Sequence, residues 1–111
     1  MNSAEQELVP VVIDLGAKRK GNLDESALTQ LGAQLGYALK QIMIGAEPFM
    51  SVKGTPREIE ALMATFGMEK QHIETLLRYG PDSPQAKSTL RGLSRHANDF
   101  EQTTGLRWPF K

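Results

Sequence analysis

Apolar positions along this chain fall into three long stretches with helical spacing and two short stretches without it. Leu28, Leu31, Leu35, Leu39 and Ile42 follow one another by three or four residues, so they share one face of a helix. Asn22 or Asp24 supplies an acceptor to open that helix, and Gly45 closes it. A second stripe runs through Ile59, Leu62, Met63 and Phe66, pauses at Gly67, Glu69 and Lys70, and resumes at Ile73, Leu76 and Leu77. Ile73 comes seven residues after Phe66, so the register survives the pause and one continuous or slightly kinked helix is expected. Its start is the sharpest local signal in the chain. Thr55 is a good N-cap, Pro56 fits the first helical position, and Glu58 sits where a capping-box carboxylate reaches back. Tyr79-Gly80-Pro81 stops it. Ser83 and Pro84 open a third helix with Ala86, Leu90, Leu93, Ala97 and Phe100 as its stripe, and Gly105 with Leu106 suits a Schellman ending.

The two short stretches read as strands. Residues 8–15 are rich in β-branched side chains, and Pro10, which has no N–H, places them at a sheet edge or limits pairing to their second half. Residues 49–53 alternate apolar and polar. The expected fold class is α+β, mostly α: three main amphipathic helices, two short strands and an aromatic C-terminal tail, Trp108-Pro109-Phe110. Residues 1–22 are expected to form an N-terminal arm holding the first strand and a basic linker, and residues 23–111 the helical domain. Leu35, Leu39, Leu62, Phe66, Leu76, Leu90 and Phe100 are the expected core. Gly32 and Gly36 each cost the first helix about 1 kcal/mol against alanine, so close approach of another backbone is expected there, within the domain or between copies.

Composition narrows the possible functions. A chain of 111 residues is expected to form one domain, which at that size buries roughly two-thirds of its unfolded surface. Thirteen basic and thirteen acidic side chains cancel, which gives no general attraction to nucleic acid and little repulsion between copies. Cysteine is absent, excluding disulfides, thiolate metal sites and cysteine nucleophiles. Residues 1–7 are polar and acidic, unlike a signal peptide, and Gln30, Gln34, Lys40 and Gln41 make the most apolar helix a poor membrane span. The expectation is therefore no membrane partner.

Candidate chemistry is thin. His96 and Asp99 share a helix face, but no nucleophile or oxyanion donor accompanies them, and His72 has no second imidazole at ligand spacing. Both histidines are expected on solvated faces. Lys53-Gly54-Thr55 matches only the end of a Walker A motif, without its upstream glycine. No enzyme activity, cofactor or metal is expected. Lys87, Arg91 and Arg95, four residues apart, form a basic stripe that nucleic acid could use. Lys18-Arg19-Lys20 reads as a solvated loop. The two ends are left with two roles, packing on their own domain or entering a partner. Residues 8–15 are apolar on successive positions, so both strand faces want cover; Val9, Val11, Ile13 and Leu15 from this stretch, and Trp108 and Phe110, stiffened by Pro109, are the expected partner contacts.

One further pattern spans most of the chain. A glycine-containing amphipathic helix is followed by Ser51-Val52-Lys53-Gly54-Thr55, Met68-Glu69-Lys70, Arg78-Tyr79-Gly80-Pro81-Asp82-Ser83-Pro84 and finally Thr104-Gly105-Leu106-Arg107-Trp108-Pro109-Phe110. Over residues 23–111 this resembles a group of small, mostly uncharacterised proteins of tailed bacteriophages, and the last of these segments is its most specific part. The resemblance implies a phage context and a role in the virion or its assembly, and it brings no catalytic residues. The expected function is a non-enzymatic virion structural or assembly protein that contacts other phage structural proteins or copies of itself, in the virion or the host cytoplasm. The alternative is a small phage regulator that binds nucleic acid or a host protein.

Overall fold

Val11–Asp14 forms strand β1 and Met50–Lys53 forms strand β2. The two pair in parallel, Val11 opposite Met50 through Asp14 opposite Lys53, and the Leu15 N–H adds one more bond to the Lys53 carbonyl at 2.8 Å. Parallel neighbours require a crossover, and helix α1, Glu25–Met43, provides it. Helix α2, Pro56–Tyr79, and helix α3, Pro84–Thr104, follow as an antiparallel hairpin. The computed structural model describes residues 11–21, 24–46 and 50–110. The fold among them is mostly α with a little β.

Local chemistry fixes most element ends. The Asp24 carboxylate accepts from the Ala27 N–H at 2.7 Å and opens α1. Thr55 and Glu58 make both halves of the capping box at the start of α2. Ser83 opens α3 by accepting from the Ala86 N–H. α2 runs unbroken through Gly67, which faces open space. Gly105 ends α3 at φ 75° with its N–H on the Glu101 carbonyl. This is the simpler αL ending, not the Schellman form, because the Leu106 N–H turns to Thr104 Oγ1 instead.

The core gathers Ile13 and Leu15 from the first strand and its exit, Leu31, Leu35, Ala38 and Leu39 from α1, Ala61, Leu62 and Phe66 from α2, Ala97 and Phe100 from α3, and finally Leu106 and Trp108. Trp108 is its hub. Its ring meets Phe66, Phe100 and Phe110 edge-to-face at centroid distances of 5.7, 5.2 and 5.6 Å.

Four expectations need correction. Ile13, Leu15 and Trp108 are not partner contacts, since each is at most 1% exposed. Pairing with β2 turns Ile13 and Leu15 inward while Val12 faces out, so only one face of this strand wants cover. The boundary at residue 22 does not separate an arm from a domain, because β1 belongs to the same core. Leu90 is exposed and Leu76 only half-buried, because α1 and the 106–110 segment cover only the part of the hairpin away from its turn. Gly32 and Gly36 do mark a close approach within the domain, but the neighbours are side chains: Pro109 and Phe110 lie 3.5 and 3.9 Å from where a Cβ would stand. Phe110 is half-buried against the core. Val9 lies outside the described residues, and of Val11 only the backbone is described.

Candidate interaction surfaces

Three groups of polar side chains are accounted for by structure rather than chemistry. The Lys18-Arg19-Lys20 loop, expected to be solvated, is a clasp. Arg19 donates from Nη2 and Nε to the two carboxylate oxygens of Glu58, at 3.0 and 3.3 Å. Glu58 Oε1 also accepts the Thr55 N–H at 2.8 Å. The Arg19 guanidinium, with that backbone donor, holds the buried Glu58 carboxyl below its ordinary range even though burial opposes ionisation. Lys20 pairs with Asp14 at 3.2 Å, and Lys18 lays its stem against Gly105. The linker therefore ties the exit of β1 to the start of α2 and the end of α3.

The 106–110 segment is held by two carboxylates. Glu69, buried in α2, accepts from Trp108 Nε1 at 2.9 Å, and Glu101 accepts from the Trp108 N–H at 2.8 Å. A buried carboxylate with an indole donor is satisfied and needs no ligand.

The histidines serve the hairpin. His72 Nδ1 lies 2.8 Å from Thr89 Oγ1 across α2 and α3, and the His96 carbonyl accepts from Thr65 Oγ1 at 3.1 Å. Both side chains are half-buried, not freely solvated. Asp99 lies 3.6 Å from Arg57, in an exposed ion pair. Among the described residues no group of three His, Asp or Glu side chains is placed to hold a metal ion. No helix among them is long and apolar enough to cross a membrane.

Two surfaces remain. Lys87, Arg91 and Arg95 are exposed along the outer side of α3 and none is in an ion pair among the described residues. They form one stripe, as their spacing requires. Arg78 lies at the end of α2 next to the hairpin turn, and Arg107 beyond the other end of α3. The second surface is apolar: Leu77 and Leu90, the outermost members of the two stripes, are 81% and 49% exposed, and Val12, Tyr37, Ile44, Met63 and Tyr79 are exposed as well. Periodicity alone assigned Leu77 and Leu90 to the core stripes. Their exposure depends on where the covering layer ends, which no local signal carries.

No protein-family model, curated protein or solved structure matches this chain.

Proposed function

We propose that this chain is a non-enzymatic bacteriophage structural or assembly protein that works by protein–protein contact, in the virion or the host cytoplasm. The observation that carries the contact reading is that the apolar stripes of α2 and α3 both run out of the core toward the turn, ending at the exposed Leu77 and Leu90, while every buried polar side chain among the described residues has a partner. A face on which two apolar stripes leave the core together is a candidate interaction site. The phage context rests on the resemblance over residues 23–111. Mass spectrometry of purified particles tests it: the chain is expected at a fixed ratio to the major structural proteins, and its absence from particles and assembly intermediates overturns it.

A second reading, a small regulator that binds nucleic acid, is favoured by the stripe Lys87, Arg91 and Arg95. Mobility-shift titrations across a range of salt concentrations test that reading. Binding that weakens steeply with salt and is lost in the triple glutamine variant supports it.

A further inference from the structure

The apolar stripes of the hairpin outlast the core they belong to. On α2, Phe66, Ile73 and Leu77 lie on one face, and they pass from 3% exposed through half-buried to 81% exposed. On α3, Phe100, Leu93 and Leu90 pass from fully buried through 7% to 49% exposed. The contacts Thr65 to His96 and His72 to Thr89, with Met68 packed where Gly92 lacks a Cβ, set the antiparallel register. Leu77 and Leu90 therefore emerge toward the same end of the hairpin. Two stripes that cover each other's flanks but not their shared face want a third layer.

Charge narrows what that layer is. Arg78 follows Leu77, and Lys87 and Arg91 lie on either side of Leu90 along α3. All three are exposed and none is in an ion pair among the described residues. Glu74 is already tied to Lys70 at 3.3 Å, which leaves Asp82 in the turn as the opposing acid. The end of the hairpin is thus positive although the chain is neutral. A second copy would set the same cations against these cations.

We propose that this face docks an amphipathic helix of a partner protein whose apolar stripe is flanked by Asp and Glu. A helix is the fitting shape, because the surface between two packed helices presents ridges and a groove but no open backbone ladder for a strand. The leucines give the affinity, and the flanking charges select the partner and its direction. The inference rests on the protein-contact reading above and names the chemistry of the contact.

The test uses the full chain, isotope-labelled, and two synthetic peptides of about 20 residues, long enough to be helical. Both carry the same leucine stripe, one with glutamate flanks and one with lysine flanks. The acidic peptide is expected to shift amides between residues 73 and 91 and to bind about tenfold or more tightly than the basic one at low salt. L77E, at an exposed site that leaves the helical signal intact, is expected to abolish the shifts. The triple variant R78E/K87E/R91E is expected to reverse the preference. Equal binding of the two peptides, shifts confined elsewhere, or no shifts overturn the proposal. So does a concentration-dependent dimer that L77E dissolves, which assigns the face to a second copy. Displacement of the acidic peptide by a DNA duplex whose own binding L77E leaves unchanged also overturns it, in favour of nucleic acid. Absence from particles would remove the assembly role and leave the peptide result standing, and the converse holds.

Discussion

At the scale of single residues, the chain is held by a few side chains with several jobs each. Trp108 packs against three rings and gives its indole N–H to a buried carboxylate. Trp108→Ala is expected to cost about 3–5 kcal/mol in urea unfolding, the range for emptying an aromatic site. Trp108→Phe keeps most of the apolar contact but strands Glu69, and about 1–3 kcal/mol is expected from that unpaired group alone. Glu58 makes a pH prediction. Its folded value is depressed below the unfolded 4.5, so its contribution is complete above that value and is lost as pH falls through the folded one. Melting temperature should therefore fall on acidification below about pH 4.5, and Arg19→Met should flatten that fall while lowering stability at neutral pH. Gly54 is a steric requirement. A Cβ there would sit 2.9 Å from Glu58 Oε1, which is bonded to Arg19 and the Thr55 N–H, and 3.1 Å from the Cβ of the fully buried Leu15, so it would disturb the clasp or the core. Gly54→Ala should destabilise by about 1–3 kcal/mol, as overpacking does.

At the scale of elements, the helix ends were legible from sequence and the helix faces only partly so. Thr55-Pro56-Glu58 and Ser83-Pro84 cap their helices because a cap is made within four residues, and its chemistry is written in consecutive letters. Leu62→Ala, at a fully buried site on α2, should cost about 2–5 kcal/mol. Gly67→Ala should do the opposite. Gly67 lies mid-helix with nothing near a added Cβ, so about 1 kcal/mol of stabilisation is expected in the same assay. What periodicity does not reveal is how far along a stripe the cover extends. Leu93 and Leu90 occupy the same stripe, yet one is buried and the other half-exposed. The clasp between Arg19 and Glu58 was invisible for the same reason, since its partners are 39 residues apart and each looks like a surface charge alone.

At the scale of the whole molecule, β1 and the 106–110 segment turn a helical hairpin and a crossover helix into one cooperative unit. Both were read from sequence as contact elements, and the reason is physical: an apolar strand and an aromatic cluster look alike whether the surface they cover is their own or another chain's. Removing residues 1–16 deletes the fully buried Ile13 and Leu15 along with β1. At about 2–5 kcal/mol per lost large side chain against a total of roughly 5–15 kcal/mol, the truncated chain should lose its cooperative melt and most of its helical signal. A truncation that keeps a sharp transition would show that β1 is dispensable to the core.

The ring cluster also makes the molecule its own spectroscopic gauge. Trp108 is the one tryptophan in the chain, and it stands in a dry site with three phenylalanine edges around it. Its emission should lie at short wavelength in the native state and move to the red in one step on unfolding, and its fixed ring geometry should give a strong near-ultraviolet circular dichroism band. A ligand seated on Leu77 and Leu90 touches none of these rings. Its arrival should leave the tryptophan emission unchanged while the amides of residues 73–91 shift. The two readouts are independent: one follows the integrity of the interior, the other the occupancy of the surface.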